Sequence, residues 1–366
     1  MTAVSAQICI VGGGVIGLMT ARELAIAGAQ VCVVEAGQCG RESSWAGGGI
    51  VSPLYPWRYP PAVTALAKWA QQAYPALSAQ LLADTGIDPE WQQSGLVLLD
   101  IPDREQAVQW AQQQQRPMQR WRREALAAAQ PDLANDIESA ICFPDVAQVR
   151  NPRLMQALVR DVSRRGVTVL TESPVQRLIA DRAGSAVDAL ETTQGRVRAE
   201  QFVICSGAWT SRLLAGFSSS VSIEPVRGQM LLFAAHEHRL RHIVLRDGRY
   251  LIPRRDGRIL CGSTLEHVGF AKVTTEEARA SLLQSAYAIM PSLRDVPIEL
   301  HWAGLRPGSA GGVPCIGRVS GWRNLWVNAG HFRNGIVLAP ASARLLSDLL
   351  LGRSTAIDPE PYRAGG

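Results

Sequence analysis

The chain opens on short apolar runs that alternate with helical periods. "QICIV" (7–11) is a β-branched apolar run ending at three consecutive glycines, and "VIGLMTARELAIAG" (15–28) then sets Ile16, Met19 and Leu24 at helical spacing before Gly28. "AQVCVVEAG" (29–37) is strand-like again, so the first forty residues predict one β-α-β unit. Residues 62–83 predict a helix interrupted at Pro75, and the glutamine-rich 104–129 predict a further helical segment. "NPRLMQALVRDVSRRG" (151–166) predicts a helix with Pro152 in its first turn, followed by the strand "VTVLTES".

Strand patterns dominate the later chain. "GRVRAEQFVICSGAW" (195–209) predicts a strand pair ending on Ser206-Gly207, with a short helix in "TSRLLAG". "VSIEPVRGQMLLF", "RYLIPRR", "RILCGST" and "IELHWAGL" predict strands, with turns at Asp247-Gly248 and Asp256-Gly257. "NLWVNAGHFRNGIVLAPASARLLSDLLLG" joins a strand to a long helix. This alternation predicts an α/β fold, α+β overall. A Rossmann-like dinucleotide-binding domain would come from the separated segments 1–85, 145–215 and 310–366. A second, substrate-binding domain on an antiparallel sheet would come from 86–144 and 216–309.

Composition narrows the picture. With 366 residues, 47% of them hydrophobic, the chain reads as a soluble globular protein large enough for two domains. Its net charge of +5 comes mainly from arginines in clusters such as "RPMQRWRR" and "PRRDGR", which favour acidic ligands but match no nucleic-acid recognition motif. Seven cysteines, an odd set with no C-x-x-C pair, argue against a disulfide framework or a zinc site and for a reducing compartment. The N-terminal apolar run is broken by glycines and followed by Arg22 and Glu23, which excludes a signal peptide or membrane span and suggests a cytoplasmic protein.

Gly12, Gly14 and Gly17 form G-x-G-x-x-G at the strand-to-helix turn, and Glu35 ends the second strand eighteen residues after Gly17. Gly12 permits the tight turn, Gly14 lets the backbone approach a pyrophosphate, and Gly17 lets helix pack on strand. Val15 and Ile16 open the helix, whose free N–H groups face the anion. Glu35, with Ala36 beside it, would accept hydrogen bonds from an adenosine ribose. The acid disfavours NADP but leaves NAD and FAD open.

The segment "ICIVGGGVIGLMTARELAIAGAQVCVVEAG" resembles the first unit of the D-amino-acid oxidase-like superfamily of FAD-dependent amino-acid and amine oxidases. "WAGLRPG", "GVPCIGR" and "GHFRNGIVLAP" are similar to the bacterial glycine oxidases of the thiamine-synthesis type, with motif order kept over nearly the full length. The resemblance implies noncovalent FAD. It implies that Ser43, Ser44, Gly48, Gly49 and Ile50 in "RESSWAGGGIVSP" wrap the flavin, although Trp45 is bulkier than the family pattern. It implies that Val175 meets the adenine through its backbone, and that His331, Phe332, Arg333, Asn334, Gly335 and Ile336 lie along the flavin. The following helix N-terminus would stabilise negative charge at the ring's pyrimidine edge.

The same resemblance assigns the substrate carboxylate to Arg306 and Tyr250, with Arg333 also lining the site. A planar guanidinium suits a carboxylate in both geometry and charge. Leu265 and Gly248 depart from residues found in relatives, and Cys315 does not align with the cysteine that carries covalent flavin in sarcosine oxidases. No general base stands out. The implied activity is oxidative deamination of glycine, with sarcosine and small D-amino acids as further substrates. A neutral amine would drive hydride transfer to flavin N5, and oxygen would be reduced to hydrogen peroxide. Alternatives are a D-amino-acid dehydrogenase that reduces quinone, or an oxidase acting on modified tRNA, although the chain has no RNA-binding surface motif. A homo-oligomer, a tetramer, is carried over from relatives.

Overall fold

A computed structural model describes residues 4–217, 221–236 and 240–364, so the outermost residues of the expected cofactor-binding segments and two short stretches at 218–220 and 237–239 lie outside the described residues. Five parallel strands run in the order Thr168–Leu170, Val31–Val34, Val4–Val11, Gly195–Ile204 and Leu325–Ala329. Successive side chains point to opposite faces, and both faces are buried, as parallel sheets require. Ile8, Ile10, Val31 and Val33 pack against the helices Val15–Ile26, Pro61–Thr85, Asn151–Arg164 and Gly335–Leu350. Cys9, Val11, Cys32 and Val34 pack with Leu178, Val187 and Leu190 of an antiparallel pair on the other side.

Gly195–Ile204 is one ten-residue strand, where the sequence suggested a pair. Its first part pairs with Val187–Thr192 and its last part with Leu325–Ala329, so two neighbours share one edge in succession. The helix at Pro61–Thr85 also continues through Pro75 rather than breaking there. Val63, Leu66, Ala67, Ala70, Tyr74, Ser78 and Leu81 keep one buried stripe on both sides of the proline, and that packing outweighs one missing backbone hydrogen bond. The glutamine-rich region is likewise not one helix. Arg104–Gln113 ends before Gln115, which has a positive φ of 53°, then Gln119–Arg122 forms an exposed edge strand and Arg123–Ala129 a short helix.

The second large sheet runs in the order Ile298–Gly308, Glu224–Phe233, Ile259–Gly262, Arg249–Pro253, Ile243–Arg246, Leu96–Leu99, Ser139–Phe143 and Gln119–Arg122. It is antiparallel except where Ile243–Arg246 meets Leu96–Leu99. Asp247 and Gly248, at φ 49° and 76°, close a two-residue hairpin that fixes the register of Tyr250. Arg306 lies inside the strand Ile298–Gly308 and not in a loop after it, opposite Val226. Among the described residues all seven cysteines are free, no group of three or more metal-ligating side chains occurs, and no helix is long and apolar enough to cross a membrane.

Candidate active site

A cavity of about 680 Å3 opens at the carboxyl ends of the parallel strands, where Val11, Val34, Cys205 and Ala329 meet Met230, Tyr250 and Arg306 of the second sheet. Gly12, Gly14, Val15, Ile16, Glu35, Ala36, Ser43, Ser44, Gly48, Gly49, Ile50 and Val175 stand on its wall, as do Tyr250, Arg306, His331, Phe332, Arg333, Gly335 and Ile336. Gly17 and Asn334 do not. Gly17 serves packing, since a Cβ there would lie 1.9 Å from the Gly12 carbonyl oxygen.

The glycine turn has distinct demands at each position. Gly12 takes φ +112°, and a Cβ would come within 2.4 Å of the Cys205 carbonyl oxygen. At Gly14 a Cβ would meet only the Ser44 hydroxyl at 3.1 Å, so its backbone faces the cavity. The Val15 N–H donates to Ser44 Oγ at 2.9 Å. Glu35 accepts from the Gly13 N–H at 2.6 Å and from the Gly37 N–H at 3.0 Å, which holds the acid at the rim with lone pairs to spare. The helices Val15–Ile26 and Gly335–Leu350 both begin on the wall, and neither is capped by its own N-cap side chain. Their N–H groups therefore favour anionic or electron-rich ligand atoms.

Ser43–Ala46 forms a short helix. Trp45 points off the wall onto Trp302, ring centroids 5.6 Å apart, and Trp302 Nε1 donates to the Ala46 carbonyl at 3.1 Å. The bulky departure thus braces the segment from outside. Gly47, Gly48 and Gly49 follow. Arg254, which the sequence did not single out, donates to the Gly48 carbonyl at 2.9 Å and to the Val149 carbonyl at 3.1 Å, and burial pulls its guanidinium down to about 10. Buried Asn151 donates to the Ser44 carbonyl at 2.8 Å. At Gly48 a Cβ would lie 3.2 Å from the Tyr250 ring, so the glycine strip rests directly on that tyrosine.

Arg306 differs from the ion-paired arginines of the chain. Arg255 pairs with Asp88 and Arg258 with Asp256 and Glu299, whereas no carboxylate among the described residues lies within ion-pair distance of Arg306. Its Nη1 donates to the carbonyls of Thr264 at 3.0 Å and Arg227 at 3.3 Å, and its Nη2 to Ser263 Oγ at 2.6 Å. Burial lowers its pKa, and the neighbouring Tyr250 counters part of that. Gly228 makes the pose possible: a Cβ there would sit 2.1 Å from Arg306 Nη1. Arg333 stands on the same wall in the turn Phe332–Asn334, also without a carboxylate partner among the described residues. Two cations facing one cavity without counterions describe a site for an anion.

Among the described residues no side chain at this end of the wall is poised as a general base. His331 is fully buried, its Nε2 is 3.0 Å from Ser342 Oγ, and burial pushes it down to about 3, so it is neutral. Glu42 is paired with Lys272 at 2.7 Å. Cys205 is the cysteine on the wall, with its thiol pushed up by burial, while Cys315 is half-buried and off it. Leu265 is exposed and off the wall, and the Gly248 N–H donates to the Tyr55 hydroxyl at 2.9 Å. Missed by the sequence reading were Gly228, Ser263, Arg254 and the Trp209 and Arg212 stretch of wall, where Phe270 lies 3.5 Å beneath the Arg212 guanidinium.

The chain is 50% identical over 363 residues to the glycine oxidase of Pseudomonas aeruginosa, covering 99% of each chain. It is 30% identical over 351 residues to a bifunctional ThiO/ThiG protein of Nostoc sp., 94% of this chain against 52% of that one. The crystal structure of glycine oxidase from Geobacillus kaustophilus superposes with a TM-score of 0.94 at 30% identity, covering 99% of both chains. The model of the DAO family, FAD dependent oxidoreductase, matches residues 7–349, and the chain belongs to that family.

Proposed function

We propose that this FAD-dependent amino-acid oxidase oxidises glycine, with sarcosine and small D-amino acids as further substrates, and acts in thiamine biosynthesis. The observation that carries the substrate class is Arg306, a cation without a carboxylate partner among the described residues, fixed by two backbone carbonyls on the wall it shares with Tyr250. The glycine oxidase relatives support the choice of glycine, and the ThiO/ThiG relative supports the link to thiamine. FAD would be held noncovalently by Gly12, Gly14, Val15, Ile16, Glu35, Ala36, Ser43, Ser44, the Gly48–Gly49–Ile50 strip, Val175 and the His331–Ile336 turn, with Gly17 and Asn334 acting through packing and backbone. When bound, FAD supplies the two-electron acceptor that oxygen returns to its oxidised state with release of hydrogen peroxide.

Arg306 and Tyr250 bind the substrate carboxylate, and Arg333 lines the remainder of the subsite. Fixing the carboxylate fixes the α-carbon, and this positioning is the main contribution of the chain to the rate. Arg306 and Arg333 are already protonated and no other side chain beside them is placed to take the ammonium proton, so the amine must arrive neutral, and its lone pair assists loss of hydride from the α-carbon. The released imine hydrolyses in water to an oxo acid and ammonia or an amine. Segments 1–85, 145–215 and 310–366 form the cofactor half and 86–144 and 216–309 the substrate half. The protein acts in the cytoplasm as a homo-oligomer.

Anaerobic titration of the FAD-loaded protein with glycine, sarcosine, D-alanine and D-proline, followed by air, tests the proposal. Glycine should bleach the flavin band, and air should restore it with peroxide. Bleaching by D-alanine alone, with reoxidation only by a quinone, would replace the oxidase by a dehydrogenase.

A further inference from the structure

We infer that Ser263 is a third ligand of the substrate carboxylate, its hydroxyl donating a hydrogen bond beside those of Arg306 and Tyr250. The inference rests on the reading that Arg306 holds a carboxylate, and it concerns a serine that neither motif nor resemblance singled out. Arg306 has five N–H donors. Both N–H groups of Nη1 go to backbone carbonyls, and one of Nη2 goes to Ser263 Oγ at 2.6 Å. What remains is Nε–H and the second N–H of Nη2, beside the Tyr250 hydroxyl, an edge that can meet a carboxylate at two points. Ser263 is thus seated against the nitrogen that contributes to this edge.

Ser263 is only 5% exposed and stands on the cavity wall. Its oxygen accepts from Arg306, so its own proton must point elsewhere, and among the described residues no carbonyl or carboxylate accepts that proton. A buried hydroxyl proton without an acceptor is costly, and a carboxylate oxygen at the free edge of Arg306 supplies the acceptor. Donation from a guanidinium into the serine oxygen also polarises its O–H bond and strengthens the outgoing hydrogen bond. The neighbouring Thr264 cannot take this role, because its hydroxyl donates to Glu266 and accepts from the Gln229 N–H. The arrangement selects for an anion that can accept from both groups together, which a neutral amide does less well.

The test titrates FAD-loaded wild type and Ser263→Ala with acetate and with acetamide, following the flavin spectrum, alongside steady-state kinetics with glycine. Ser263→Ala should weaken acetate about 5- to 20-fold, as loss of one hydrogen bond to a charged group predicts. It should raise KM for glycine by a similar factor, leave kcat within about two-fold, and leave bound FAD and Tm unchanged. Acetamide should shift little, and Ser263→Thr, which keeps the hydroxyl, should recover acetate binding. Unchanged acetate affinity in Ser263→Ala, while Arg306→Ala loses it, overturns this inference alone. Acetate affinity unchanged in both variants overturns the carboxylate reading itself. A loss equal for acetate and acetamide, or no recovery in Ser263→Thr, assigns Ser263 to packing and also overturns the inference.

Discussion

Two walls of the same cavity are built on opposite principles. Along residues 12–17 and 47–49 the decisive groups are glycines, and what faces the cavity is backbone. Along Tyr250, Ser263 and Arg306 the decisive groups are side chains, brought together from three separate segments of chain, with Gly228 on a fourth leaving room for the guanidinium. At Gly12 and Gly49, and at Gly17 behind them, no added atom is tolerated, because a Cβ would meet a backbone carbonyl oxygen at 2.4, 2.0 and 1.9 Å, whereas at Gly14 and Gly48 it would meet side chains. The arginine wall tolerates loss of atoms but loses a specific charge. A glycine wall suits a large cofactor that touches many N–H and Cα groups. A side-chain wall suits a small ligand recognised at one or two atoms.

The contrast can be broken at its strongest point first. Gly17→Val places carbon atoms on the Gly12 carbonyl oxygen, so the protein should be recovered without flavin and with a strongly lowered Tm, checked by the absorbance of purified protein. Gly228→Ala tests the opposite wall. Its new Cβ would fall on the Arg306 guanidinium, and we expect flavin content near wild type with kcat/KM for glycine reduced about 10- to 100-fold, the cost of one to two displaced charge-assisted hydrogen bonds. Loss of flavin from Gly228→Ala would show that the walls are not separable.

The smallest effect is one of pH. His331 ordinarily titrates near 6.5, and burial pushes it down to about 3 in the folded protein. The unfolded chain therefore binds this proton first as pH falls, so the stability contribution is complete above about pH 6.5 and is lost progressively towards pH 3. Tm should fall less steeply over that interval in His331→Gln than in wild type. An equal slope would remove His331 as a cause of acid sensitivity.

The two walls also differ in how far they could be read from sequence. Gly12, Gly14, Gly17 and Glu35 lie within one β-α-β unit, and their spacing encodes a geometry that strand, turn and helix enforce locally. Arg306 and Tyr250 were reached by resemblance. Nothing in single-residue chemistry tells that a guanidinium in "GLRPG" has no carboxylate partner among the described residues. Gly228 and Ser263 were missed because their meaning depends on cross-strand register: Gly228 matters only once Val226 is paired with Arg306 two residues away, and isolated glycine and serine carry no period. The Pro75 helix and the 104–129 region failed for a related reason. In one, tertiary packing overrode a local breaker; in the other, an edge strand with polar residues on both faces offered no alternation to detect.

In the proposed function Arg306 fixes the carboxylate of an amino acid and takes no part in holding FAD. Arg306→Ala, loaded with FAD and mixed anaerobically with increasing glycine, tests it directly against wild type. Wild-type flavin content and spectrum are expected, with the glycine concentration for half-maximal reduction raised about 100-fold or more, as loss of a two-point charge-assisted contact requires. Reduction of the variant by glycine at wild-type concentrations would contradict it.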